Sequence, residues 1–334
     1  MLFTEPFYYE VLNFKKIKDK AFIGTLYYGL VLYDIDLSKN NEKFNFLRCL
    51  ISPGISHDLK KSREYIFLSN FYSGTAILDN NLNWMRKLGT PYANTDLEIF
   101  KNYLFLSDYI GFSIYDITIP EIPKILYSSN DIFYECFDIL IYDNFLYAAD
   151  IYYGLFIFDI KNKKNPILLN IIPGVVFYKL FLYDNLLFVC LSYGGFYIYD
   201  ISSPDNPVYI NYYEEGIGGI YSLQKYNDFL YIANVVNKKM RILKLKENQI
   251  VEKLNEITYN EQVFDLIIYK NKLYLNLRYN YIYVYNLEDP SNPNLLKEIF
   301  IPYKTDLWNI YYSSEKIYIS AGESGILIYE ISKL

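Results

Sequence analysis

Eight polar side chains recur at one position of otherwise apolar segments: Asn13, Asp58, Asp96, Asp138, Lys179, Ser222, Asp265 and Asn309. Two kinds of chemistry fit such a set. Gathered carboxylates attract cations, amines or hydroxylated ligands, and in a hydrolase or lyase they hold a divalent metal or move protons. Alternatively, each side chain accepts backbone N–H groups of its own or the next repeat, since buried polar groups must be satisfied. Recurrence in every copy suits the second use, whereas convergence of Asp58, Asp96 and Asp138 on one point would favour the first. A second polar position follows at Thr25, Asn70, Asp108, Asp150 and Asn234, and aromatics follow that: Tyr27, Tyr28, Phe71, Tyr72, Tyr109, Tyr152, Tyr153 and Tyr193. Aromatic faces beside carboxylates hold cations, and tyrosine is a preferred interface anchor; packing over strand edges is the structural alternative. The candidate ligand-binding residues are therefore Asp58, Asp96, Asp138, Tyr72, Tyr109 and Tyr152, with binding expected to occur without turnover.

Other catalytic signatures are sparse. His57 is the only histidine, and its neighbour Asp58 would point to the opposite face of a strand, so a Ser/His/Asp triad is not indicated. The three cysteines, Cys49, Cys136 and Cys190, lie in different repeats without CxxC spacing, which predicts buried thiols rather than a metal site. No GxGxxG, P-loop or EF-type calcium loop occurs, and no cofactor is expected. A net charge of -6 argues against a nucleic-acid partner, which needs clustered Lys and Arg. No run of 18 uncharged apolar residues and no basic leader followed by an apolar stretch is present, so the chain as written is expected in the cytoplasm, without membrane insertion, or at the cell surface if an export signal has been removed.

The elements that position these residues are short strands. The segments GLVLYDI (29–35), GFSIYDI (111–117), GLFIFDI (154–160), GFYIYDI (195–201) and GILIYEI (325–331) recur, and weaker copies surround Asp79, Lys244 and Asn286, giving a period of about 42 residues. Phe137–Tyr142, Phe145–Asp150, Leu155–Ile160 and Ile167–Ile172 read as four strands, separated by the tight turn Asp143-Asn144, the turn Tyr152-Tyr153-Gly154 and the polar loop Lys161–Pro166. Four antiparallel strands per unit, without helical periodicity, predict an all-β, eight-bladed β-propeller. A stacked solenoid would need polar caps at both ends. The last repeat ends after its third strand, and Met1–Thr4 is expected to supply the fourth, closing residues 1–334 into one domain and a monomer. The turns between first and second strands are basic (Lys15, Lys60, Lys101, Lys225, Lys270, Lys316), which would set a basic face opposite the acidic one and orient a partner.

The Gly–apolar–Asp segments, followed by SSPDNP (202–207), EDPSNP (288–293) or KNKKNP (161–166), resemble the LVIVD repeat. Asp79 followed by Asn80, and Lys244 in place of Asp, depart from its pattern. The resemblance implies a propeller, is frequent among bacterial and archaeal surface proteins, and implies no defined catalytic residues. The expectation is a non-catalytic scaffold that binds a protein or a small cationic or hydroxylated ligand; the alternatives are a propeller hydrolase or lyase with a divalent metal at a carboxylate-lined channel mouth, and a cell-surface or adhesion protein.

Overall fold

The computed structural model describes residues 11–330 except 18–19, 26–28, 37–42, 51–55, 71–73, 80–83, 90–93, 130, 217, 247–248, 278–280, 301–306, 314–315 and 322–324. The first sheet comprises β1 (Val11–Ile17), β2 (Lys20–Thr25), β3 (Gly29–Asp36) and β4 (Lys43–Leu50). The second comprises β5 (Ser56–Ser62), β6 (Tyr65–Asn70), β7 (Gly74–Asp79) and β8 (Trp84–Leu88). The third has β9 (Asp96–Phe100), β10 (Tyr103–Ser107), β11 (Phe112–Asp116) and β12 (Lys124–Ser129). In the fourth are β13 (Cys136–Tyr142), β14 (Phe145–Asp150), β15 (Gly154–Asp159) and β16 (Ile167–Pro173). The fifth holds β17 (Phe177–Tyr183), β18 (Leu186–Leu191), β19 (Gly194–Asp200) and β20 (Val208–Gly216). Then come β21 (Ile220–Tyr226), β22 (Phe229–Asn234), β23 (Lys239–Lys246) and β24 (Gln249–Thr258), and β25 (Val263–Tyr269), β26 (Lys272–Leu277), β27 (Tyr281–Asn286) and β28 (Asn294–Phe300). The last sheet has three strands among the described residues, β29 (Leu307–Ser313), β30 (Lys316–Ala321) and β31 (Gly325–Glu330). Every sheet pairs its strands in sequence order and antiparallel. The expected partner of the last sheet, Met1–Thr4, lies outside the described residues.

The chain forms two compact units, Ser52–Gly216 and Met1–Ile51 with Ile217–Leu334. In the former, first strands lie side by side, β5 next to β9, β9 next to β13 and β13 next to β17. In the latter, β21 lies next to β25, β25 next to β29, and β29 next to β1, so the last sheet adjoins the first.

Alternation explains the stacking. Along β14, Leu146 and Ala148 pack with Phe105, Phe112 and Ile114 of the third sheet, while Tyr147 and Ala149 pack with Phe177, Leu187 and Val189 of the fifth. Successive side chains point to opposite faces, so a strand apolar throughout demands a neighbour on each side. Rings fill the gap where alanines leave room, with Phe112 and Phe158 at 5.0 Å and Phe133 and Phe156 at 4.9 Å between centroids.

The repeat's conserved-looking letters each have a physical task. Arg63, Lys101, Asp143, Asp184, Asn227 and Lys270 open the two-residue hairpin turns with φ between 42° and 58°, the left-handed geometry such turns require. In the third, fourth and fifth sheets the Asp closing the third strand caps the next loop: Asp116, Asp159 and Asp200 accept the N–H of Thr118, Lys161 and Ser202 at 2.8, 2.7 and 2.7 Å. Hydrogen bonds from the Thr118 and Ser202 side chains, followed by these N–H bonds, hold the Asp116 and Asp200 carboxyls below their usual range. The Pro of the loop reaches the preceding sheet: the Tyr147 hydroxyl donates to the Pro204 carbonyl and the Tyr231 hydroxyl to that of Pro290, both at 2.7 Å. Phe67, Phe105 and Phe188 stand where Tyr147 and Tyr231 stand in their own second strands. Tyr147→Phe should therefore keep the packing and lower stability by about 1 kcal/mol, the net worth of one hydrogen bond, whereas Tyr147→Ala should cost roughly 3–5 kcal/mol. Urea unfolding midpoints of the two variants check this ordering.

Candidate functional site

The recurring polar position sits beside a bulge. In five first strands the pairing register shifts immediately before it, between Val11 and Asn13, Cys136 and Asp138, Phe177 and Lys179, Ile220 and Ser222, and Val263 and Asp265. A bulge re-aims side chains, but reaching the next first strand does not require one, since Asp96 pairs with Ser107 in unbroken register. Asp96 Oδ2 accepts the Ile139 N–H at 3.0 Å, and Asp138 Oδ2 accepts the Leu180 N–H at 2.7 Å. The Ser222 hydroxyl donates to the Leu266 carbonyl at 3.4 Å. Each acceptor or donor follows the recurring polar residue of the neighbouring strand by one position. Lys179, the basic copy, turns back to Asp138 Oδ1 at 3.1 Å.

Asp96 and Asp138 are buried, and each reaches forward by one strand to a different backbone N–H. Burial pushes the Asp138 carboxyl above the ordinary range, opposed by the Lys179 ammonium and the Leu180 N–H. Thr95 reinforces the seam by donating to the Cys136 carbonyl at 2.7 Å. Cys136 and Cys190 are free and buried, and no group of three metal-ligating side chains occurs among the described residues. Asp58 lies on β5 with its side-chain surroundings outside the described residues, where Tyr72 also falls, together with Tyr27, Tyr28 and Phe71.

The second polar position organises the turns at the same strand ends. Asp150 Oδ1 accepts the N–H groups of Tyr152 and Tyr153 at 2.9 and 2.7 Å, and Oδ2 those of Tyr134 and Glu135 at 2.8 and 2.9 Å. One buried carboxylate thereby fixes two loops and places three tyrosines together. Tyr134 meets Tyr152 at 4.3 Å and Tyr153 at 6.2 Å, both edge-on, and all three tyrosines are about half exposed, Tyr193 more so. Tyr109 is more enclosed, with its ring 6.0 Å from Phe137 and its hydroxyl on Glu135; burial and that carboxylate push its phenol up. Tyr134 lies outside the repeated polar and aromatic positions because it precedes a first strand rather than ending a second one. Its signal was the tyrosine two residues ahead of Cys136, in a loop that leaves the strands at the same end.

The basic turns lie at the other end. Lys60 and Lys101 stand at the hairpin end of their first strands and Asp96 and Asp138 at the start, an order repeated by Lys225, Lys270 and Asp265 in the other unit. Lys60 is held by Glu98 at 2.9 Å.

No family model and no curated protein matches the sequence. Solved structures do. The chain is similar to the computationally designed Ika8 protein, with 12% identity, 98% of each chain covered and a TM-score of 0.78. It is similar to the C-terminal WD40 domain of Sif2, with 14% identity, 97% of each chain and a TM-score of 0.74. A third likeness is to the β-propeller domain of Cps50 from Myceliophteria thermophila, with 12% identity, 84% of this chain, 97% of that one and a TM-score of 0.61. The fold is that of a β-propeller. Identities this low carry the fold and nothing of what those proteins bind.

Within the propeller, Asp108 occupies the place of Asp150 but not its bonding. Its turn runs Asp108-Tyr109-Ile110-Gly111, one residue shorter than Asp150-Ile151-Tyr152-Tyr153-Gly154, and Tyr109 takes φ 74°. Both carboxylate oxygens are buried without a hydrogen-bond partner. Desolvation pushes this carboxyl up to about 6, with the Gly111 and Asp108 N–H groups close enough to offset only part.

Two expectations follow from these carboxylates. Because the folded value of Asp108 exceeds the ordinary 3.8, the folded state holds the proton more tightly. The stability it contributes is full below about pH 4 and is lost as the pH rises through about 6, a difference of roughly 3 kcal/mol. Asp108→Asn should thus raise the melting temperature at pH 7.5 and leave it nearly unchanged at pH 4. Asp138→Ala strands the Leu180 N–H and Lys179 together and should cost roughly 2–4 kcal/mol, with Asp138→Asn recovering part; denaturant midpoints of both variants measure the ordering.

Proposed function

We propose that this chain is a non-catalytic, eight-bladed propeller of LVIVD-type repeats, closed between its last and first blades, that serves as a scaffold for a protein partner. The adjacency of β29 and β1 supports closure. The observation that carries the docking reading is the exposed cluster of Tyr134, Tyr152 and Tyr153 on loops made rigid by Asp150. Tyrosine offers a large amphipathic surface with few rotamers to freeze, which is why it anchors interfaces. A preorganised platform also avoids the ordering cost that weakens binding by mobile loops. By contrast, Asp96 and Asp138 are engaged by backbone N–H groups and Lys179, which leaves acid–base or metal chemistry at the channel poorly served.

A photo-crosslinking phenylalanine analogue at Tyr152, with Lys101 at the opposite strand end as control, tests the platform. A discrete adduct is expected at position 152 and not at 101. The partner so identified should bind at least tenfold more weakly to the double variant Tyr134→Ala, Tyr153→Ala, with the melting temperature unchanged. Equal affinity for both proteins would remove the aromatic face from the binding site.

A further inference from the structure

We infer that Glu135 is the charge-recognition residue of the aromatic platform, and that the protein partner seated there presents an arginine whose guanidinium lies on the exposed tyrosines and pairs with this carboxylate. The inference rests on the docking role proposed above and names the chemistry of its partner.

The turns 108–111 and 150–154 and the segment 131–135 meet at this side chain. Asp150 Oδ2 accepts the Glu135 N–H at 2.9 Å and that of Tyr134 at 2.8 Å, so the backbone here is fixed by a neighbouring turn. The Glu135 side chain stays partly exposed and accepts the Tyr109 hydroxyl, and the Tyr152 and Tyr134 phenols lie near enough to act on the Tyr109 phenol. One carboxylate is thereby set among three tyrosine hydroxyls. Ring surface extends from it on both sides, through Tyr134 to Tyr152 and Tyr153, and from Tyr109 through Phe137 at 6.0 Å to Tyr178 at 5.2 Å.

Charge selects the occupant. Among the described residues, the loops at this end of the unit, 107–111, 131–135, 150–154, 173–176 and 191–194, contain no Lys or Arg. The first-strand lysines Lys179 and Lys60 are paired with Asp138 at 3.1 Å and Glu98 at 2.9 Å. Asp131 and Glu214, at the same strand ends, are exposed acids. An acidic group of a partner would meet like charge at this face, and an apolar one would desolvate Glu135 without compensating it. A cation is compensated twice, by the carboxylate and by the ring faces. Guanidinium suits the place better than ammonium, because it is planar, stacks on aromatic rings and offers forked N–H donors to a carboxylate. The Tyr109 hydroxyl takes one acceptor site of Glu135, and a carboxylate has several, so the pair can form without dismantling the support beneath it.

Two readouts separate this inference from the platform itself. The first is the anisotropy, at low salt, of dye-labelled Gly-Ser peptides carrying three Arg, three Lys or three Glu. The Arg peptide is expected to bind the full chain, the Lys peptide several-fold more weakly and the Glu peptide not at all. Glu135→Gln should weaken the Arg peptide about tenfold, whereas Asp205→Asn, in the exposed loop at the opposite strand ends, should not. Glutamine keeps an acceptor for Tyr109, so both variants should melt with the wild type. The second readout is the photo-adduct at position 152, whose yield should fall in Glu135→Gln. Failure of the Arg peptide to bind, equal binding of the Arg and Lys peptides, or equal affinity of wild type and Glu135→Gln overturns the inference. An adduct that Glu135→Gln leaves unchanged also overturns it and spares the platform, while the absence of any adduct removes the platform and the inference with it.

Discussion

Everything in this protein follows from strands that are apolar on both faces. A sheet whose second strand buries Leu146 and Ala148 on one side and Tyr147 and Ala149 on the other cannot leave either side in water. Each large side chain so buried contributes on the order of 1.5–3 kcal/mol. That force is non-directional, however, and would tolerate sheets sliding over one another. Bonds worth less individually, from Asp96 to Ile139, from Asp138 to Leu180 and from Tyr147 to Pro204, decide where one sheet stops relative to the next.

The same packing distributes opportunity unevenly along each sheet. Neighbouring first strands are in contact, which buries the polar groups there and compels their satisfaction by backbone or by Lys179. Fourth strands are left largely uncovered: all but one residue of β16 are exposed. Accessible side chains therefore belong to the turns and to the fourth-strand edges. Aromatic turns and the uncharged edge of β16 are two versions of that accessibility, one rigid and amphipathic, the other flat and aliphatic.

Much of this was legible in the residues. The Gly–apolar–Asp segments gave the strand order of the fourth repeat correctly, because period-two burial and turn-forming Asp143-Asn144 are local signals. The Asp at the end of β11, β15 and β19 is visible as a letter, and its bond to the N–H two residues on is also local. Less accessible was the bulge before Asp138, Lys179 and Ser222, since a register shift belongs to a pair of strands and not to either alone. The recurrence of a polar residue is compatible with backbone satisfaction, but the identity of the recipient, one residue beyond the same position in the next strand, belongs to the stacking.

Asp108 and Asp150 illustrate the limit most sharply. Aligned by strand they are the same residue, and composition offers no reason to separate them. Counting the turn does: with three residues before Gly154, the chain presents the N–H groups of Tyr152 and Tyr153 to Asp150 Oδ1, and with two residues before Gly111 it cannot present the same pair to Asp108. The shorter turn forces Tyr109 to φ 74° and turns its ring toward Phe137 and its hydroxyl toward Glu135. A one-residue difference in loop length thus converts a carboxylate that organises two loops into one that is buried without a partner. It also moves one tyrosine out of the exposed platform and into its support. In a repeat protein, the informative positions are those where the spacing, rather than the residue, departs from the period.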